Sequence, residues 1–354
     1  MNIIKKYGLL ICGCITLIGL LLFVGIYDLN KPKEQYIISY IDVFDTVTQI
    51  IGYADSKEEL QEQADILHEK LLYYHKLYDI YHYYPNINNL YIVNHEATSS
   101  PIKVAPEIID LIKFSKELYT ITNGKTNIAM GSVLSIWHDY REDGSKHPET
   151  AKLPSMDKLQ EAAQHTDINN IIIDDAASTI FFSDSEMSLD VGSIAKGYAV
   201  QKVAEYAQEL GYNNMAISVG GNIATIGGTA EGKDWRLGIQ NPFLDEEKPL
   251  IGKVDISNLC LVTSGDYQRF YVVDGKEYNH IIDPDTLMPA EYFKSVTIII
   301  NNSGKADALS TALFTMSYDE GLALINSIEG AEAMWVFEDG TIQYSENFEE
   351  FLVE

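Results

Sequence analysis

Asp307 and Thr311 stand four residues apart in Ser303-Gly304-Lys305-Ala306-Asp307-Ala308-Leu309-Ser310-Thr311, where a helix is expected to follow a loop at 301–304. That spacing sets a carboxylate and a hydroxyl one turn apart on one helix face. Hard oxygen donors of this kind suit Mg²⁺, and a helix N-terminus nearby favours phosphate. An aspartate near a helix start also serves ordinary capping, so this segment alone leaves both readings open.

Four further segments bear on the choice. Leu189-Asp190-Val191-Gly192-Ser193-Ile194-Ala195-Lys196-Gly197-Tyr198-Ala199 opens a helix, where glycines let backbone N–H groups approach an anion and Lys196 adds a positive charge. Gly192 and Gly197 equally suit close helix packing. Ile217-Ser218-Val219-Gly220-Gly221-Asn222 runs a strand into paired glycines, which permit close backbone approach to a ligand or a simple turn. Neither GxGxxG nor GxxxxGK[ST] occurs, which argues against Rossmann and P-loop enzymes. Thr263-Ser264-Gly265-Asp266-Tyr267 and Asn279-His280-Ile281-Ile282-Asp283-Pro284-Asp285-Thr286 are expected at strand ends on one edge. His280, beside acids and a turn-forming Pro284, is the best titratable candidate for proton transfer or ligand fixation.

These five segments, in this order and spacing, resemble the ApbE family, flavin transferases that move FMN from FAD onto a protein threonine or serine. The resemblance runs from residue 36 to 348, with support from Trp235-Arg236-Leu237-Gly238-Ile239 and from Thr122-Asn123-Gly124 leading to Gly131 and Trp137. It implies that Asp307, Thr311 and an oxygen of Ser193 hold Mg²⁺. It implies flavin contacts at Asp190 and Lys196, and the rest of the FAD substrate at Phe44, Tyr84, Met130, Gly131, Ser132, Gly220, Gly221, Ile281 and Ile282. Phe44-Asp45-Thr46 stands where many members have Met-Gly-Thr, Ser132 replaces a common proline, and Leu287 replaces a common glycine. His280 is expected to take the hydroxyl proton or orient the acceptor, with Asp283 holding its imidazole and Asp266 as the fallback base. The implied acceptor is an exported FMN-binding protein presenting Thr or Ser. Mg²⁺-dependent FAD pyrophosphatase activity and non-catalytic FAD binding in the envelope are the alternatives.

The elements that must position these groups follow from composition and pattern. With 354 residues, 46% apolar and 22% charged, the chain can bury a large core. A net charge of −27, from 52 acidic against 25 basic residues, argues against a nucleic-acid surface and against adsorption to anionic lipid headgroups, and requires a metal or local cations for any anionic substrate. Of Cys12, Cys14 and Cys260, only Cys260 lies outside the N-terminal apolar run, so no disulfide framework is expected in the body. Lys5 and Lys6 precede an uncharged run at 8–27 that is long enough to span a bilayer, which points to a single-pass anchor (1–29) with an extracytoplasmic body. Lipidation at Cys14 is the competing reading.

A linker at 30–35 should lead into a flavin-transferase domain at 36–354. Helices are expected at 56–84, 106–122, 194–210, 306–317 and 318–327, a surface loop at 139–154, and a β-hairpin within 167–189. Strands are expected at 36–53, 215–219, 235–239, 261–263, 270–273, 296–300 and 333–338. Without a regular βαβ rhythm the fold class is α+β, a mixed sheet-and-helix domain of two closely joined lobes.

Overall fold

The computed structural model describes residues 33–354 apart from Glu246 and Gln268. The expected span at 8–27 and its lipidated alternative at Cys14 lie outside the described residues. Among those described, no helix is long and apolar enough to cross a membrane.

β1 (Glu34–Val43) and β2 (Thr46–Ala54) form a hairpin whose turn residues Phe44 and Asp45 both have positive φ, 53° and 51°. β1 starts inside the stretch expected as linker, because Glu34 and Gln35 pair with Ala54 and Tyr53. α1 (Lys57–Tyr78) is capped by Ser56, whose side chain accepts the Glu59 N–H, and it buries Leu60, Ala64, Leu67 and Leu71 on one face. It stops well before Pro85, since the Asp79 carboxylate takes the N–H groups of Tyr81 and His82 and turns the chain out of the helix.

α2 (Leu90–Glu96), β3 (Ile102–Lys103) and α3 (Pro106–Ile121) follow. α4 (Gly131–Lys146) takes over the first half of the expected loop at 139–154, which begins only at His147. Its first half buries Val133, Ile136 and Trp137 on one face, and its polar second half continues the helix with Gly144 directly against Tyr271. α5 (Met156–Ala162) precedes the expected hairpin of β4 (Ile171–Asp174) and β5 (Thr179–Phe182).

α6 (Ala195–Glu209) then leads to β6 (Met215–Val219), β7 (Asn222–Ile226), β8 (Trp235–Gln240), β9 (Leu250–Ile256) and β10 (Cys260–Gly265). β11 (Phe270–Val273) and β12 (Lys276–Asn279) pair as a separate hairpin, followed by β13 (Ser295–Ile300). α7 (Ser303–Phe314), α8 (Tyr318–Asn326), β14 (Glu332–Val336), β15 (Ile342–Tyr344) and β16 (Leu352–Val353) end the fold.

The main sheet has eight strands in the order β1-β2-β6-β7-β10-β13-β14-β15, every neighbouring pair antiparallel. Helices with an antiparallel sheet make this the expected α+β class. α7 joins two parts of the core. Its Ala308 packs into the large cluster containing α1, α3 and α6, while Ala306, Leu309, Leu313 and Phe314 pack with β13 and β14. A helix buried on so many sides holds its remaining polar groups still.

Candidate active site

The first of two adjoining cavities, about 210 Å³ in volume, opens where α6 meets α7. Asn302 caps α7 by accepting the Lys305 N–H, so the helix starts before residue 306 and sets Asp307 in its second turn. Asp307 is 4% exposed, and its Oδ2 accepts the Gly197 N–H at 2.8 Å. Its Oδ1 lies 4.0 Å from Lys196 Nζ. Thr311 Oγ1 donates back to the Asp307 carbonyl at 3.2 Å and stands 3.5 Å from Ser264 Oγ. Ser193 lines the same cavity, so all three expected metal ligands are brought together.

This donor set fits Mg²⁺ of one kind. Among the described residues there is no group of three or more His, Cys, Asp or Glu side chains able to cage a metal. One carboxylate with hydroxyl oxygens matches an ion that keeps waters and shares its shell with substrate phosphates.

Cations gather at the same place. Lys125, Lys196, His138, Arg141, Arg269 and His280 all line the first cavity. Arg141, Arg236 and Arg269 are the three arginines of the chain. Arg236 is ion-paired with Asp255, whereas Arg141 contacts only the His138 ring at 3.0 Å, and neither it nor Arg269 has a carboxylate partner among the described residues. In a chain with 52 acids, two unpaired arginines in one cleft mark an anion site.

His280 Nδ1 lies 3.2 Å from the Arg269 carbonyl, so Nδ1 carries the proton and Nε2 is left as an acceptor. Loss of water around the ring, with the charges of Arg269, Arg141 and Lys196, pushes its pKa down to about 3. Burial raises the Asp190 carboxyl above its usual range, opposed by the Gly192 N–H at 2.8 Å and by His138, Arg141 and Arg269.

A second cavity of about 510 Å³ shares Tyr81, Asp190, Gly192, Lys196 and Arg269 with the first, so the two meet at a cationic waist. Its walls are aromatic, with Phe44, His75, Tyr78, Tyr83 and Tyr84. Phe44 N–H donates to His75 Nδ1 at 3.2 Å, and Tyr84 Oη donates to Asp79 Oδ2 at 2.9 Å while standing 3.4 Å from His75 Nε2. Burial keeps His75 below the usual imidazole range, which suits its role as acceptor from Phe44. The end of α1 therefore supplies Tyr78 to the wall, and the turn after it supplies Tyr81 and Tyr83 as well as the expected Tyr84.

Several expected roles change. Asp283 does not hold His280: its carboxylate is 4% exposed in side-chain terms and bound to Lys125 Nζ at 2.7 Å. Asp266 is paired with Lys294 at 2.7 Å and is absent from the cavity walls, which removes it as the fallback base. Met130, Gly220, Ile281 and Ile282 line the first cavity, but Gly131 and Ser132 stand behind it, Gly131 N–H on the Ser188 carbonyl and Ser132 Oγ on the Ala162 carbonyl. Gly221, at φ +89°, completes the turn with no neighbour where a side chain would go. Lys125, Arg141 and Arg269 were not legible as site residues. The scarcity of arginine in so acidic a chain was the available signal for the last two.

Comparison with known proteins agrees with this geometry. A curated relative from Klebsiella pneumoniae, an FAD:protein FMN transferase, is 30% identical over 245 residues, covering 69% of this chain and 73% of its own. Another of the same name from Vibrio cholerae is 29% identical over 345 residues, 96% of this chain and 98% of its own. The crystal structure of the ApbE protein from Thermotoga maritima superimposes with a TM-score of 0.79 at 27% identity, over 91% of this chain and all of that one. The flavin transferase ApbE of Vibrio cholerae superimposes at 0.73 with 26% identity, again over 91% of this chain and all of the other. With the ApbE family model matching residues 44–335 across both cavities, this chain belongs to the ApbE family.

Proposed function

We propose that the cleft binds FAD with Mg²⁺ and transfers its FMN moiety to a serine or threonine hydroxyl of an acceptor protein, releasing AMP. One grouping carries the reading: Asp307, Thr311 and Ser193 line the first cavity together with Arg141 and with Lys196 and Arg269 of the waist, and among the described residues neither arginine has a carboxylate partner. A dinucleotide has a ring system at each end and a pyrophosphate between them, which matches two cavities joined at a cationic neck. The curated relatives named as FAD:protein FMN transferases support the transfer.

Asp307, Thr311 and Ser193 would hold Mg²⁺, which when bound neutralises pyrophosphate charge and makes the phosphorus more electrophilic. The acceptor oxygen forms a bond to the FMN-side phosphorus, the bond from that phosphorus to the bridging oxygen breaks, and its electron pair leaves with AMP. Arg269 and Arg141 offset charge on the transferred group. The His280 ring, held through Nδ1–H, presents Nε2 to the hydroxyl proton. Burial first, and then the charges of Arg269, Arg141 and Lys196, suppress its basicity in the free cleft, and an arriving pyrophosphate offsets the second of these two effects.

The apolar run at 8–27 supports membrane anchoring with the body outside the cytoplasm, and hence an exported acceptor. The test is incubation with FAD, Mg²⁺ and an FMN-binding-domain protein of the same genome, followed by intact-mass analysis of that protein. A gain of one FMN that EDTA abolishes supports transfer. Free FMN and AMP without a mass gain instead assign a pyrophosphatase, and FAD binding without turnover assigns a binding protein.

A further inference from the structure

We infer that Lys125 is a positioning residue, an internal ammonium clamp that fastens the loop forming one wall of the FAD cavity to the end of the metal-ligand helix. This rests on the FAD reading above. Asn123 and Gly124, at φ +50° and +84°, end α3 and turn the chain back across the C-terminus of α7. Thr126 Oγ1 fixes the crossing by donating to the Ala308 carbonyl at 2.9 Å. Lys125 Nζ then reaches Asp283 Oδ1 at 2.7 Å, Asp285 Oδ2 at 2.8 Å and the Thr315 carbonyl at 3.0 Å.

An ammonium has three donors, and all three are used by the protein. Lys125 therefore has none left for substrate, although it lines the cavity. Its partners explain what it does instead. Thr315 ends the helix that carries Asp307 and Thr311, where a cation is favoured by the aligned carbonyls. Asp283 belongs to the loop that supplies Ile281, Ile282 and Pro284 to the wall. That loop turns sharply, with Leu287 at φ +61°, and it is also fastened by the Trp137 Nε1–H on the Leu287 carbonyl at 3.0 Å. Without Lys125, the buried Asp283 carboxylate would lose its counter-charge, and the wall would lose its tie to α7.

The test compares Lys125→Met, Lys125→Arg, Asp285→Asn and the double variant Lys125→Met/Asp283→Asn with the wild-type chain, reading FAD affinity by flavin fluorescence and the steady-state KM and kcat for FAD. Lys125→Met should weaken FAD binding and raise KM about tenfold, as for loss of one charge-assisted bond, with kcat changed less than about twofold. Lys125→Arg should recover part of the loss. The double variant should recover only the part of the loss that comes from the stranded Asp283 charge, because the tie from the loop to Thr315 is still missing. Asp285 is 77% exposed in side-chain terms, so Asp285→Asn reports on the clamp without endangering the fold, with a KM rise of about two- to threefold.

An unchanged KM in Lys125→Met and Asp285→Asn overturns the clamp. A raised KM in Lys125→Met with an unchanged or lowered KM in Asp285→Asn also overturns it and makes Lys125 a direct anion contact, since Asp285→Asn leaves the ammonium in the cavity. If the wild-type chain itself fails to bind FAD, the parent reading of the cleft falls instead.

Discussion

The Gly197 N–H donates to Asp307 Oδ2 across 110 positions of sequence, and Gly197 has no room for a side chain. A Cβ there would meet the Ser303 carbonyl and the Asp307 Cβ well inside van der Waals contact. α6 thus presses its first turn against α7, which brings Lys196 and Asp307 to one wall. Gly197→Ala should destabilise the fold by about 1–3 kcal/mol through overpacking and reduce flavin transfer out of proportion to that loss. Urea unfolding beside a transfer assay at fixed Mg²⁺ checks this; unaltered transfer would show that the contact does not position the ligands.

Asp307→Asn keeps an oxygen for the Gly197 N–H while removing the negative charge. The variant should fold with a midpoint close to wild type, lose transfer at least about a hundredfold, and need far more Mg²⁺ for any residual rate. A Mg²⁺ titration of initial rates decides it, and wild-type Mg²⁺ dependence would move the metal elsewhere.

Arg141→Gln and Arg269→Gln should each raise the KM for FAD about tenfold, because each removes a guanidinium that has no competing carboxylate among the described residues. The salt dependence of FAD binding should become shallower in both. Equal salt slopes in variant and wild type would place the pyrophosphate away from the waist.

Tyr84→Phe keeps the ring and removes the hydroxyl that donates to Asp79. Asp79 retains the Tyr81 and His82 N–H groups and the His82 ring, so the loop should stay folded with a loss of about 0.5–1.5 kcal/mol. FAD affinity should fall severalfold if the second cavity takes one ring system. Fluorescence titration of FAD measures it, and unchanged affinity would empty that cavity of the dinucleotide.

The His280 pKa of about 3 in the folded chain, against an ordinary value near 6.5, fixes the sign of a pH effect. Between those values the unfolded chain binds a proton that the folded chain does not, so stability falls as pH drops through this window and is unaffected above it. His280→Asn should flatten the loss of thermal stability between about pH 6 and pH 4. Parallel melting curves for variant and wild type would show that the imidazole titrates normally.

What local chemistry dictates was legible in the sequence. The helix cap at Ser56, the apolar spacing of α1, the Pro106 start of α3 and the Asp307/Thr311 pair depend on neighbours a turn away. Motif order gave the family resemblance for the same reason, since each motif is a short run. The second half of α4 was misread because its polar residues satisfy the pattern of a loop until Tyr271 packs against Gly144. Tertiary structure alone decided the partners of buried charge. Lys125 and Asp283 are separated by 158 positions, and His280 is flanked by cations from α4, α6 and the start of β11. A carboxylate in sequence can serve any nearby base, but burial makes it serve the one cation that folding delivers, and here that cation is Lys125 rather than His280.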